Sequence, residues 1–211
     1  MKKKISVLAA VLLAIGITAC GNNDGQVVTS ESASNTTNET AEVNSSKETE
    51  STNEDSSVLV VYFSATGTTK GVAETIASIT GADTYEIKAA QEYTDADRDW
   101  NNSDSRCTKE QNDPDVRPEI GSEPISLDGY KTIYIGYPIW WGQEPRIMDT
   151  FVESYNFDGI TVIPFCTSGS SAIGKSGQNL AKNAGSGTWL EGNRFGSGAT
   201  EDEIRSWIEG L

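Results

Sequence analysis

The chain has 211 residues, and its 31 acidic and 16 basic residues give it a net charge of −15. Nucleic acids are bound by basic surfaces, so this composition predicts no nucleic-acid partner, although it would suit a basic protein partner. The chain contains no histidine, which excludes Ser-His-Asp triads, an imidazole general base and histidine-bearing zinc sites. We predict no metal ion and no catalytic side chain.

The amino terminus has the pattern of an export signal. Three lysines follow Met1, and residues 5–17 are almost entirely apolar. This run is short for a bilayer core about 30 Å thick, which favours a signal peptide over a spanning helix. Residues 17–20, Ile-Thr-Ala-Cys, resemble a bacterial lipobox, and the resemblance implies cleavage before Cys20 and a diacylglycerol lipid on its sulfur. We expect a signal peptide over residues 1–19 and a mature protein lipid-anchored on the extracytoplasmic face of the cell membrane; the alternative is an ordinary signal peptide that ends at a cysteine.

The segment after Cys20 has the composition of a linker. Residues 22–57 consist mainly of Ser, Thr, Asn and Glu. Such a segment cannot bury enough apolar surface to offset its chain entropy. We predict a disordered acidic linker over residues 20–57 and one folded domain over residues 58–211. Residues 1–57 hold eight acidic residues and four lysines, so a net charge of −11 falls on the domain.

The predicted domain opens with an apolar strand and a hydroxyl-rich turn. Residues 58–63, Val-Leu-Val-Val-Tyr-Phe, have the pattern of a parallel strand that is buried on both faces. From Lys70 onward the apolar residues take helical spacing. The intervening turn, loop 1, therefore places hydroxyls and free backbone N–H groups at a helix amino terminus, which suits a phosphate group; simple helix capping is the alternative. The candidate phosphate-binding residues are Ser64, Ala65, Thr66, Gly67, Thr68 and Thr69.

A second strand and an unusually long connection follow the first predicted helix. Residues 83–88 have an alternating pattern that is typical of an edge strand. Residues 89–127, called the insertion below, show helical tendency over 95–100 and 103–111. The prominent aromatic and basic residues of the insertion are Tyr93, Trp100, Arg106 and Arg117. They either cover a ligand or anchor the insertion to the domain, and we expect anchoring.

Two further loops follow predicted strands. The third strand, residues 130–137, leads into loop 2 (residues 138–142), where two adjacent tryptophans either pack on the core or stack on a planar aromatic ligand. The fourth strand, residues 161–165, leads into loop 3 (residues 166–171), whose backbone N–H groups suit the edge of a negatively charged ring. The candidate ligand-binding residues of loops 2 and 3 are Pro138, Ile139, Trp140, Trp141, Gly142, Thr167, Ser168 and Gly169.

Strands and helices alternate along the whole domain. Helices are predicted from Pro145 to residue 156, over 173–183 and from residue 200, the last with Leu211 facing inward, and a fifth strand is predicted over 188–190. This alternation indicates right-handed crossovers and a five-stranded parallel sheet with helices on both faces. The natural strand order is 2-1-3-4-5, the order of flavodoxin itself, with a ligand at the switch point between strands one and three. Loops 1, 2 and 3 all fall at this edge of the sheet.

The domain resembles the flavodoxin-like family on three motifs that occur in one order: Ser-Ala-Thr-Gly-Thr-Thr, Pro-Ile-Trp-Trp-Gly and Phe-Cys-Thr-Ser-Gly-Ser. The resemblance implies a three-layer α/β sandwich that binds FMN without a covalent bond. Loop 1 would hold the phosphate, loop 2 would flank the ring and loop 3 would border it. The position of the insertion and the export signal depart from the family pattern, so the resemblance does not identify the redox partner.

The expected function is electron transfer by an FMN-binding protein outside the cytoplasmic membrane, to a redox protein or a small acceptor. One alternative is an FMN-dependent quinone or small-molecule reductase, with a second pocket beneath Tyr93 and Trp100. Another is a non-redox binding module with the same fold. Cys107 and Cys166 could pair in an oxidising exterior. A nucleophilic role for Cys166 would need a lowered thiol pKa, and no basic residue is close to it in sequence.

Overall fold

The computed structural model describes residues 56–211, so the predicted signal peptide, Cys20 and residues 20–55 of the predicted linker lie outside the described residues. In the described part of the chain, no helix is both long enough and apolar enough to cross a membrane. The elements in chain order are β1 (Val58–Phe63), α1 (Thr68–Thr80), β2 (Asp83–Ile87), α2 (Arg106–Asn112), β3 (Thr132–Pro138), α3 (Arg146–Glu153), β4 (Thr161–Thr167), α4 (Ser176–Ala184), β5 (Thr188–Trp189), β6 (Asn193–Phe195) and α5 (Glu201–Glu209).

The strands form one parallel sheet in the order β2-β1-β3-β4-β5, which confirms the predicted topology, with β2 at one edge. Each face of the sheet carries its own apolar cluster. One cluster includes residues of α3 and α4, and the other includes residues of α1 and α5. The domain is therefore a three-layer sandwich, as predicted, and the carboxyl ends of β1, β3 and β4 meet along one edge.

The strand next to β4 differs from the prediction: in place of one fifth strand there are two short strands, β5 and β6. Both β5 and β6 pair in parallel with β4, so the sheet has six strands rather than five. The ladder beside β4 runs through the carbonyls of Ile160 and Val162, which accept from Thr188 and Leu190. The next residue of β4 on that side is Pro164, which has no N–H to donate. Pairing stops there and resumes one residue later, where Phe165 faces Asn193 of β6.

The insertion contains one helix, α2, while residues 95–100, which showed helical tendency, form turns. Its basic and aromatic residues mostly anchor it, as expected. Arg106 lies over the Tyr93 ring at 3.8 Å and donates to Glu110 at 2.6 Å. Arg117 forms a two-point ion pair with Glu153 of α3, with both N···O distances at 2.7 Å. Trp100 is different, since 73% of its surface remains exposed.

The remaining helices follow the predicted apolar faces. Pro145 precedes α3 as its N-cap, and the inward residues of α3 are fully buried. Thr200 and Glu203 form a reciprocal capping box that starts α5, and Ile204 is buried beneath it. The expectation that Leu211 faces inward was wrong, because α5 ends at Glu209 and Leu211 is exposed.

Candidate ligand-binding site

Loop 1 is a turn closed by the hydroxyl of its first residue. Ser64 Oγ accepts hydrogen bonds from the backbone N–H groups of Gly67 (3.1 Å) and Lys70 (3.2 Å). Gly67 has a φ of 86°, a conformation that favours glycine. Ser64 thus caps the turn and α1, as the capping alternative supposed. Within the described residues, however, the backbone N–H groups of Thr68 and Thr69 have no hydrogen-bond partner.

The threonine side chains of loop 1 divide into two kinds. Thr66 is exposed and Thr68 is partly buried, and their hydroxyl oxygens lie 3.5 Å apart. Thr69 is instead buried, and its Oγ1 lies 2.8 Å from Oγ1 of Thr167, at the end of β4. The Thr69 side chain therefore connects two strand ends. The accessible hydroxyls and the free N–H groups form a neutral donor set at the positive end of α1.

Loop 2 ends in a tight two-residue turn. Trp140 and Gln143 exchange backbone hydrogen bonds of 2.9 and 3.0 Å across it. The two central residues, Trp141 and Gly142, have φ values of 49° and 75°, as a type I′ turn requires. Trp141 is the one non-glycine residue with positive φ in the part of the chain that the structure describes. This conformation costs about 1–2 kcal/mol for a residue other than glycine.

The two tryptophans of loop 2 have different environments. Trp140 packs edge-on against Phe63 and Tyr93, with ring centroids 5.7 and 5.1 Å apart. Trp141 is 40% exposed. Core packing therefore accounts for Trp140, while Trp141 remains available to stack on a ligand. Sequence alone could not separate these roles, because the residues are adjacent and chemically identical.

Loop 3 is held by β6. Ser168 donates its backbone N–H to the carbonyl of Phe195 at 3.1 Å, and its hydroxyl accepts from the N–H groups of Ser170 and Ser171. Arg194 donates to the carbonyls of Ser168 and Gly169. Most donors of this loop are thus used internally. Arg194 was missed by sequence reasoning, because the strand that carries it has only three residues.

A cavity of about 380 Å³ brings two of the three loops together. Loop 2 lines it from Pro138 to Gly142, whereas loop 1 contributes Ala65 and Thr66 and loop 3 contributes Ser171. The predicted residues that are not among the lining residues are Ser64, Gly67, Thr68 and Thr69 of loop 1 and Thr167, Ser168 and Gly169 of loop 3. The insertion contributes Arg98, Trp100 and Cys107, of which Trp100 was considered as a ligand cover from the sequence and the other two were not. The complete lining consists of Ala65, Thr66, Arg98, Trp100, Cys107, Pro138, Ile139, Trp140, Trp141, Gly142 and Ser171.

Two other cavities have different linings. A larger one, about 490 Å³, lies between α4 and β5, and none of its lining residues belongs to loop 1 or loop 2. A third, about 260 Å³, is lined by Tyr93 together with Ser64 and Ala65. Tyr93 and Trp100 therefore line different cavities.

Three buried ionisable groups lie in or next to the segments that form the site. The carboxyl of Glu144, two residues after loop 2, is fully buried, and burial raises its pKa to about 7. Asn179 donates to this carboxyl at 3.2 Å, and Gln111 of the insertion donates to the Glu144 carbonyl at 3.2 Å. Cys107 and Cys166 are both free and buried, and burial raises the pKa of each thiol to about 12. Protonated thiols are poor nucleophiles, which agrees with the low expectation for Cys166.

Comparison with known proteins decides the family. The sequence model of the family described as Flavodoxin matches residues 57–211. The chain belongs to the flavodoxin family. No curated protein matches the sequence.

Solved structures agree with this assignment. A candidate flavoprotein from Bacteroides eggerthii is 46% identical with a TM-score of 0.68, and the match covers 73% of this chain and 96% of that one. A second, from Bacteroides uniformis, is 45% identical with a TM-score of 0.69 and coverages of 72% and 97%. A flavoprotein from Lactobacillus acidophilus, solved in complex with FMN, is 27% identical with a TM-score of 0.54 and the same coverages.

Proposed function

We propose that this flavodoxin binds FMN in the cavity between loops 1 and 2 and transfers electrons outside the cytoplasmic membrane. The observation that carries the proposal is the shared cavity, in which Thr66 of loop 1 lies beside the exposed Trp141 of loop 2. A phosphate group and a planar ring are the two parts of FMN that such a site would hold. The related Lactobacillus protein, solved in complex with FMN, supports the same ligand.

The residues of the site fit the proposed ligand in charge and shape. The backbone N–H groups of Thr68 and Thr69 are unpaired among the described residues and lie in the first turn of α1, where the helix dipole favours an anion. The Thr66 hydroxyl adds a further donor. Trp141 offers an aromatic face, and Trp140 fixes the turn that carries it by packing against Phe63.

The surrounding protein would tune the cofactor rather than supply the chemistry. FMN, when bound, supplies one- and two-electron transfer. The net charge of −11 on residues 58–211 disfavours added negative charge in the cavity. This effect is modest for exposed carboxylates and larger for charges shielded from water. The acidic surface also suits a partner with a basic docking face.

The location is proposed from the amino terminus. The lipobox-like residues before Cys20 support export and a lipid anchor, with residues 22–57 acting as a spacer. A membrane-tethered domain of this kind would exchange electrons with a redox protein or a small acceptor at the extracytoplasmic face.

The loop 1 assignment is tested by titrating the purified chain with FMN and following flavin fluorescence. Each hydrogen bond to a charged phosphate contributes about 1.5–3 kcal/mol, so the double variant Thr66→Val, Thr68→Val should lose at least about a hundredfold in affinity. Thr75→Val is the matched control, because Thr75 lies on the same helix and donates to Gly71 instead. Unchanged affinity in the double variant would remove the phosphate site from loop 1.

A further inference from the structure

The insertion places one charged side chain in the cofactor cavity. Arg98 is the one positively charged residue that lines this cavity, which it shares with Thr66 of loop 1 and Trp141 of loop 2. Loop 1 itself contains no basic residue. Lys70, which follows it, is directed to two carboxylates, Glu86 at 3.7 Å and Glu74 at 4.0 Å. Arg98 is therefore the cation best placed to meet an anionic group in this cavity.

Arg98 has donor capacity that the protein does not use. Its Nη2 donates to Asp95, whose side chain is 99% exposed. An ion pair with so exposed a partner contributes little and is easily exchanged. The Arg98 Nε is shielded from solvent and has no hydrogen-bond partner among the described residues. A buried donor without a partner is unfavourable, so an anion in the cavity would satisfy it.

The turn that carries Arg98 is held in place by the rest of the insertion. The Asp97 carboxylate accepts from the backbone N–H of Thr94 (3.0 Å) and from its hydroxyl (2.7 Å). The Asp97 carbonyl accepts from the N–H of Cys107 in α2 at 3.0 Å. The end of α2 in turn contacts the residue after Gln143, through the bond from Gln111 to the Glu144 carbonyl. Arg98 thus has a defined position relative to loop 2.

We propose that Arg98 is a specificity-determining residue that binds the phosphate of FMN from the side opposite loop 1. The neutral donors of loop 1 would contact one side of the phosphate, and the guanidinium would neutralise its charge from the other. The insertion then adds to loop 1 in distinguishing FMN from riboflavin, which has the same ring and no phosphate. This inference rests on the proposed function.

The test compares FMN and riboflavin binding to the purified full chain and to two variants, by quenching of flavin fluorescence. Arg98→Gln should weaken FMN binding at least tenfold and change riboflavin binding less than twofold. Arg98→Lys, which keeps the charge but not the planar fork, should retain part of the preference for FMN. Arg117→Gln is the matched control, because Arg117 lies on the same insertion, pairs with Glu153 and does not line the cavity.

The outcomes separate this inference from the proposed function. If the unaltered chain binds FMN and Arg98→Gln weakens both flavins equally, Arg98 supports the ring or the fold, and the inference is overturned. Unchanged FMN affinity in Arg98→Gln overturns it as well. If the unaltered chain binds neither flavin, the proposed function itself fails, and the inference fails with it.

Discussion

Replacing Glu144 with glutamine should stabilise the protein at pH 8 and leave its stability at pH 4 nearly unchanged. Glu144 is fully buried two residues before α3, and its Oε1 has no hydrogen-bond partner within the described residues. Burial is the main cause of its raised pKa, and the nearby Asp149 carboxylate adds to it. The change from carboxyl to amide keeps the size of the side chain and removes the buried charge.

The size of the effect follows from the pKa in the folded and unfolded states. The pKa is about 7 in the folded protein against an ordinary value of 4.5. Below pH 4.5 the carboxyl is neutral in both states, and between 4.5 and 7 it ionises in the unfolded chain first, so stability falls as pH rises. One pKa unit corresponds to about 1.4 kcal/mol, so the loss approaches about 3 kcal/mol above pH 7. Asn179 would keep its hydrogen bond to the amide oxygen.

Urea unfolding at pH 4, 6 and 8 measures this difference directly. The free energies of unfolding of Glu144→Gln and the unaltered protein should agree at pH 4 and diverge by up to about 3 kcal/mol at pH 8. Glu153→Gln is a control of opposite sign, because the ion pair with Arg117 lowers the pKa of Glu153. That variant should lose stability at pH 8, by less than about 1 kcal/mol at so exposed a site. Equal pH dependence in Glu144→Gln and the unaltered protein would refute the account of the buried carboxyl.

Three further predictions concern loop 2, the sheet edge and the anchor. Trp141→Ala should reduce flavin fluorescence quenching and change the free energy of unfolding by less than about 1 kcal/mol. Trp140→Ala should lower the free energy of unfolding by about 2–3 kcal/mol, because it removes a packed ring. Similar effects of the two changes would contradict the separate roles of the two tryptophans. Gly192→Ala should lower the free energy of unfolding in urea by about 1–3 kcal/mol, since its new Cβ would lie 2.4 Å from the Pro164 carbonyl oxygen. Gly196→Ala serves as the control, because a Cβ added there meets nothing within 4 Å. Cys20→Ala should move the protein from the membrane fraction to the soluble fraction, and continued membrane association would show that another anchor exists.

The strand order could be predicted because the apolar pattern changes period between strands and helices. Residues 58–63 form an unbroken apolar run, and α3 has buried residues at helical spacing, so the alternation of elements was visible without a structure. The strand β6 was not visible. Its three residues are too few to show a period, and its pairing depends on where Pro164 interrupts the ladder.

The site was predictable where the local sequence carries the chemistry and not where distant residues meet. Loop 1 follows its strand directly, and its hydroxyls identified it. Arg98 was missed because it lies between Asp97 and Asp99, in a charged stretch that resembles an ordinary solvated surface. Its place in the cavity depends on how the insertion docks, and that docking uses pairs such as Arg117 and Glu153, which are far apart in sequence.

Cofactor binding is the central claim, and the most direct test is the absorption spectrum of the purified chain after FMN has been added and the excess removed. The account predicts that the protein retains FMN, with a visible absorption band shifted from that of the free cofactor. A folded protein that retains no flavin would contradict it, and would leave a flavodoxin-fold module that binds something else.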